Sequence, residues 1–383
     1  VSNWVDHTTA INAYMKEFPA VRVSYVRAPT TDDLYAKATA GAIAGTPIDA
    51  FWLHDAFVSE LVGKGTVRPL DEYVKRDKDA VEDIYPIALK YHTRNGKLYG
   101  VPQNLTVFVM YYDRDRFAEV GVPPPKAGWT LSEWQDAMTR IARSGPDRLL
   151  NLPTERRGYY LFLKAHGGSW TDEAGKRSRL GDAETIAGVQ YLKDLFDRLN
   201  LAVRPLPGEG DLPNFQRRQS AMHVGLTSAI WALRKENVPF TWDLAEPPKG
   251  PKGQSTTQAA TGWVLGEGGK NLDAAWHFVR WVTGEGPQRQ LMQENALMSS
   301  RRKVVEDPKA NQTPPENFKA MSAAHGMADY HANPTVVITN GEKAKAFSDA
   351  LTAALSDIFA NKASVKDALT AADQTVKQQN VFE

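Results

Sequence analysis

The chain contains no cysteine. That excludes disulfides, thiolate nucleophiles and cysteine metal ligands. The absence suits an exported protein that avoids stray oxidation, although it does not fix the compartment. No apolar run reaches the about eighteen residues that a membrane-spanning helix needs. No charge of one sign dominates: 46 Lys and Arg stand against 45 Asp and Glu, a formal net charge of +1. Such a balance gives no electrostatic reason to expect nucleic acid or an anionic membrane surface as partner. The pairs Arg156–Arg157, Arg217–Arg218 and Arg301–Arg302 are scattered and read as solvated faces. There is no solenoid-type repeat, coiled-coil heptad or low-complexity tract. A secretory leader is also missing. The chain opens on Val1-Ser2-Asn3-Trp4, which reads as the tail of a strand, so a leader and the start of that strand are expected upstream.

What is present is length and aromatic mass. A chain of 383 residues exceeds one ordinary core and predicts two domains. Ten Trp and thirteen Tyr supply that core and leave some rings for a binding site. Periodicity predicts a helix over 8–17, with Ile11, Tyr14 and Met15 on one face, then a strand over 21–26, a helix over 31–44 and a short strand over 49–53. A helix near 56–64 follows. This strand–helix alternation argues an α/β lobe with a largely parallel sheet.

Beyond Tyr112 the texture changes. Thr130-Leu131-Ser132-Glu133 is a capping box that opens a helix to about Arg143. Helices are expected over 159–165, stopped by Gly167-Gly168, and over 183–199. Ala221-Met222-His223-Val224 reads as a strand. The Pro-rich stretch 247–253 reads as an exposed loop. Gly262-Trp263-Val264-Leu265 is a further strand, and helices follow over 272–283, 344–360 and 364–379.

Catalytic constellations are absent from the pattern. There is no G-x-S-x-G, no P-loop, no His pair at metal spacing and no pair of carboxylates in an apolar setting. His54-Asp55 is a lone dipeptide. Neither a cofactor nor a resident metal is expected.

Residues 96–117 carry the strongest local signal: Gly-Lys-Leu-Tyr-Gly-Val-Pro, then Val, Phe, Met and Tyr, then a polar break. This resembles the "G-K-x-Y-G-x-P … Y-N-K-D-L-F" segment of extracellular solute-binding proteins of the carbohydrate-importer class. Phe18–Val23 is similar to the family's first strand entry, and Asp49–Asp55 resembles the maltose-binding segment in which a Trp and an Asp touch sugar. Pro69-Leu70-Asp71, Gly128–Glu133 and Gly167–Lys176 resemble further landmarks. Phe215–Trp231 resembles "F-x-x-G-x-x-A-M-x-x-x-G-x-W", with Arg218 at the usual Gly. Ala260–Lys303 resembles "G-G-x-x-x-x-I … A-A-W-x-F … P-x-R", with Ser299-Ser300 where Pro and a polar residue are usual. Each motif is weak alone; their order along the chain is the signal.

The resemblance implies a two-lobe periplasmic-binding-protein fold of type II-like α/β architecture, each lobe a mostly parallel sheet flanked by helices. Lobe I would hold 1–108 and 260–303, lobe II 112–257 and 306–383, with hinge crossings near 108–112, 257–260 and 303–306. It implies capture of a sugar or oligosaccharide in an interlobe cleft and delivery to the membrane permease of an ABC transporter. The protein would be periplasmic or extracellular, monomeric and not an enzyme, anchored by lipid through a removed N-terminal segment.

Sugars present flat C–H faces and a rim of hydroxyls, so such a site needs aromatic plates and planar polar side chains. The plates implied are Trp52, Trp231 and Trp263, with Trp4 a fourth. Asp55 would accept from hydroxyls and His54 would give or accept. Gln103 and Asn104 would serve at a crossing, and Arg301 would hold an acceptor or anion. Their ordinary roles stand beside these: a Trp in a strand is core, Asp55 caps the next helix, and Gln103 and Asn104 satisfy backbone groups. Three other ligands or roles remain open. They are a glycerol-phosphate or phosphodiester served by Arg301 or Arg157, a ferric ion held by Tyr111-Tyr112 or Tyr159-Tyr160, and a glycoside-acting enzyme with two distant acids.

Overall fold

A computed structural model describes residues 6–145, 149–152, 156–203, 212–293, 298–307, 315–338 and 340–382. The chain divides into two compact units. Unit 1 is Val1–Leu105, Ala259–Asn311 and Thr339–Glu342; unit 2 is Thr106–Gln258, Gln312–Ile338 and Lys343–Glu383. The chain thus changes unit at 105/106, 258/259 and 311/312, and visits unit 1 once more over 339–342.

The strands in chain order are β1 (Ala50–His54), β2 (Thr93–Arg94), β3 (Lys97–Leu98), β4 (Gly100–Asp113), β5 (Leu149–Asn151), β6 (Ala202–Val203), β7 (Ser220–Leu226), β8 (Trp242–Ala245) and β9 (Gln258–Leu265). Fourteen residues long and buried throughout, β4 begins in unit 1 and ends in unit 2. Its apolar continuity explains this: a strand covered on both faces needs no polar alternation.

In unit 1, β1 runs antiparallel to β9 with Trp52 opposite Trp263, and β9 neighbours β4. The two-residue period sorts the side chains. Phe51, Leu53 and Val264 join Leu34, Tyr35 and Ala38 of the helix Thr31–Ile43 in one core. On the alternate positions, Trp263 meets Phe278 of the helix Leu272–Val282 edge-on at 5.2 Å, and Tyr14 of the helix Thr8–Glu17 meets Phe278 at 5.1 Å.

Unit 2 has its own, larger core. There β4 pairs antiparallel with β7, from Phe108–Leu226 to Tyr112–Met222, and with β8, while β5 lies parallel to both β7 and β6. The helices Leu131–Ala142, Arg156–Ala165, Ala183–Asp197, Gly341–Phe359 and Val365–Gln378 supply Trp134, Phe162, Leu192, Phe347 and Leu369 to that core. The capping box is formed as written: Thr130 Oγ1 accepts from the Glu133 amide, and Glu133 accepts from the Thr130 amide at 2.6 Å.

Three expectations are corrected. Val21–Val26 joins none of these ladders. Its alternation appears as burial instead, with Val21, Val23 and Tyr25 half-buried and Arg22, Ser24 and Val26 exposed. A period of two reports one covered face, and a covered face does not require a ladder. The stretch 247–253 is an exposed loop only in part: Lys249, Pro251 and Lys252 are exposed, but Pro247, Pro248 and Gly250 are buried, and Lys249 exchanges backbone hydrogen bonds with Trp129 and Leu131. The helix expected at Tyr159 starts three residues earlier, at Arg156.

Candidate functional site

In unit 1 the sequence-chosen residues converge on a histidine that the sequence did not single out. His7 is buried immediately before the helix Thr8–Glu17. Its ring meets Trp52 edge-on at 5.6 Å and Trp263 at 5.0 Å. Its Nε2 lies 2.9 Å from Gln103 Oε1, which also accepts from Trp263 Nε1 at 3.0 Å. Trp52 (3% exposed), Trp263 (1%) and Gln103 (0%) are all interior. Two donors in this cluster, Trp52 Nε1 and Gln103 Nε2, have no acceptor. Trp263 also lines a cavity of about 480 Å³ whose wall includes Ile11, Tyr25, Ala50 and Phe278.

A second group collects at the end of β1. His54 Nδ1 lies 2.7 Å from Asp55 Oδ1 and 3.2 Å from the Ala56 amide. The Ala56 amide donates to His54 Nδ1, so that nitrogen is the acceptor and the carboxylate contact is one of proximity. The helix-start role expected of Asp55 therefore passes in part to His54, whose side chain faces Ala56 N–H. Asp55 itself is fully buried. Burial pushes the Arg94 guanidinium down to about 10, an effect that the nearby Asp55 charge opposes. Burial likewise holds His92 neutral, pushed down to about 4, with its Nε2 3.2 Å from the Leu53 carbonyl.

The remaining residues separate. Asn104 Oδ1 accepts from the Thr261 amide at 2.7 Å, a bond between β4 and β9 that satisfies the backbone. Arg301 is buried and donates to the carbonyls of Ala80, at 3.0 Å, and Thr283. These carbonyls close the short helix Lys78–Ala80 and cap the helix Leu272–Val282, a setting that suits a cation. Burial depresses its pKa, as for Arg94. Trp231 is in unit 2, on the helix Ala229–Glu236, and is 42% exposed. Lys235, one turn on, stands 5.0 Å from its ring centroid. Trp4 lies outside the described residues.

The tandem tyrosines are tied into unit 2. Tyr111 donates to the Leu226 carbonyl at 2.7 Å and Tyr160 to Asp329 at 2.8 Å. Burial pushes both phenols well up, so they stay protonated donors.

Residues 4–289 match the family described as bacterial extracellular solute-binding protein. The chain belongs to that family. It is 23% identical over 316 residues to the maltotriose-binding protein of Pyrococcus abyssi, covering 79% of this chain and 64% of that one. The chain spans about two thirds of the length of the curated relatives it matches. In fold it is similar to an ABC substrate-binding protein from Listeria monocytogenes in complex with cycloalternan, at a TM-score of 0.86 and 19% identity, over 100% of this chain and 98% of that chain. It is also similar to a Mycobacterium tuberculosis protein in complex with glycerophosphocholine, at a TM-score of 0.83 and 18% identity, over 100% and 99%. No described helix is long and apolar enough to cross a membrane.

His7 escaped the sequence reading because a lone histidine before a helix carries no pattern. Its meaning comes from β1, β4 and β9, whose segments lie about 45 to 260 positions further on.

Proposed function

We propose that this protein captures a sugar or oligosaccharide outside the cytoplasmic membrane and hands it, unaltered, to the permease of an ABC importer. The observation that carries the reading is the family match over 4–289, taken with planar polar and aromatic groups of the kind sugars require. We assign ligand contacts to Trp52, His54, Asp55 and Gln103 in unit 1 and to Trp231 in unit 2. Asn104, Trp263 and Arg301 support them: the first closes a ladder, the second orients Gln103, and the third is spent on backbone carbonyls. The two units are the lobes of the clamp, and the passages at 105/106, 258/259 and 311/312 are its hinge.

Thermal shift against maltose, maltotriose, cycloalternan and glycerophosphocholine tests the cargo. A ligand that binds only the folded state raises the melting temperature. A rise with at least one of the three sugars is expected. A rise with glycerophosphocholine alone replaces sugar by a phosphodiester. Chromatography of the recovered ligand tests the role: a converted sugar, in amounts exceeding the protein, makes the protein an enzyme.

A further inference from the structure

The helix Gly341–Phe359 is shared between the two units. Gly341 and Glu342 belong to unit 1, and the residues from Lys343 on belong to unit 2. Further along, Phe347, Leu351, Leu355 and Ile358 are set in the unit 2 core. The passage at 105/106 runs through the strand β4, which can turn by dihedral changes at a few residues. A helix bends only by breaking its i→i−4 bonds, so this further passage is stiff.

The first turn of that helix is seated on the helix Val58–Gly63, inside unit 1. A Cβ at Gly341 would stand 2.7 Å from Glu60 Cα and 3.1 Å from Glu60 N. Gly341 has no positive φ, so closeness and not a turn is what calls for glycine. Asn340 Oδ1 accepts from the Glu342 amide at 3.1 Å and fixes where the helix starts. The seat itself is anchored. Val58 and Leu61 lie in the unit 1 core, and their helix follows directly on His54 and Asp55. The Glu60 carboxylate holds Lys64 at 2.6 Å, and its backbone is what meets Gly341.

We propose that the first turn of the helix Gly341–Phe359 is a latch, seated on Glu60 while sugar is held and unseated when sugar leaves. The proposal rests on the clamp reading above and adds the contact that keeps the clamp on its ligand. The argument is mechanical. One stiff helix cannot keep its first turn on unit 1 and its body in the unit 2 core while the units move. The unit 2 attachment is four large apolar side chains; the unit 1 attachment is one glycine on one turn of backbone. Dispersion and burial scale with the atoms in contact, so the smaller attachment yields. A contact made in one state and lost in the other is what lets a ligand bias the two.

With no native cysteine, two introduced thiols have only each other. The Cβ position at Gly341 lies 3.3 Å from Glu60 Cβ, near the about 3.5–4.5 Å of a disulfide. Glu60→Cys with Gly341→Cys therefore gives a pair that oxidised glutathione closes and dithiothreitol reopens. Maltose, maltotriose and cycloalternan are the probes. Loaded with sugar and then oxidised, the double variant should release it at least about tenfold more slowly than when reduced. Gly341→Ala puts a methyl group in the seat. It should weaken sugar binding by about three- to tenfold, with an unliganded melting temperature at or above that of the wild type, because Ala is the better helix former. Equal release from the oxidised and reduced forms would mean that the seat is kept in both states and overturn the latch. Thiols that never join would overturn it as well. So would a Gly341→Ala variant with a lowered melting temperature and unchanged affinity, which would make Gly341 part of the unit 1 fold alone. If the wild type binds none of the three sugars, the sugar reading falls by itself. The latch is then read without ligand, by small-angle scattering: the oxidised form should have the smaller radius of gyration, and equal radii would overturn it.

Discussion

Trp231 and Arg218 show how differently single residues can depart from a pattern. Trp231 keeps 42% of its surface exposed, whereas Trp52 and Trp263 are enclosed. Truncating it should cost little stability and much contact. Trp231→Ala is expected to weaken sugar binding by about tenfold, as loss of an aromatic plate does, with a melting temperature near that of the wild type. Calorimetry paired with thermal melting checks both halves. Arg218 stands where the resembling motif has Gly, and the backbone shows why Gly suits the place: φ is +60°. The strain is offset by its guanidinium, which bonds Asp113 Oδ2 at 2.6 Å and Glu119 at 2.9 Å. Asp113 has no exposed side-chain surface. Arg218→Gly relaxes the turn but leaves that buried carboxylate with the Arg116 amide and without its charged partner, and the second effect is the larger. A net loss on the order of 2 kcal/mol in urea unfolding is expected; a stabilised variant would show that the pair contributes nothing. At this scale residue types were legible in the sequence, and partners were not. Gln103 was noticed for its position at a crossing, yet its contacts are with His7 and Trp263, 96 and 160 positions away.

At the scale of elements, periodic patterns were readable wherever one face is buried for its whole length. The helices Thr8–Glu17, Leu131–Ala142 and Val365–Gln378 follow their apolar spacing to within a residue or two of the expected ends. Failures came where the covering partner is remote. Residues 247–253 have loop composition, but Gly250 is pressed so closely on the end of the helix Arg156–Ala165 that a Cβ there would meet the Ala165 carbonyl oxygen at 2.3 Å. A glycine chosen for closeness is indistinguishable in sequence from one chosen for a turn. The contact makes Gly250→Ala a severe change. Backbone must shift at both elements, and a loss on the order of 3 kcal/mol is expected, read as a lower urea midpoint with an unchanged slope. A midpoint equal to that of the wild type would mean that the stretch is not held against the helix.

At the scale of the whole molecule, three histidines link stability to acidity. His92 in unit 1 and His223 and His325 in unit 2 are buried, and burial is the first cause that pushes them down, to about 4, about 3 and about 4. Each has a neutral neighbour that suits the unprotonated ring: the Leu53 carbonyl, the Asn151 amide and the Gln258 amide, whose N–H lies 2.9 Å from His325 Nδ1. An unfolded histidine takes up its proton near pH 6.5, whereas these three resist it until well below pH 5. Between those limits the unfolded chain binds more protons than the folded one, so stability falls as pH falls. Above about pH 6.5 both states are neutral and the effect vanishes. With all three contributing, the slope near pH 5 approaches about 4 kcal/mol per pH unit, and a fall through one unit is comparable to much of a domain's total stability. Urea unfolding from pH 7.5 to 4.5 should therefore show a plateau and then a steep decline beginning near pH 6.5. His325→Gln keeps a polar partner for Gln258 and removes one titrating ring, so its slope at pH 5 should be shallower by about a third. A profile that is flat down to pH 4.5, or a His325→Gln slope equal to that of the wild type, would mean that the folded protein already carries those protons.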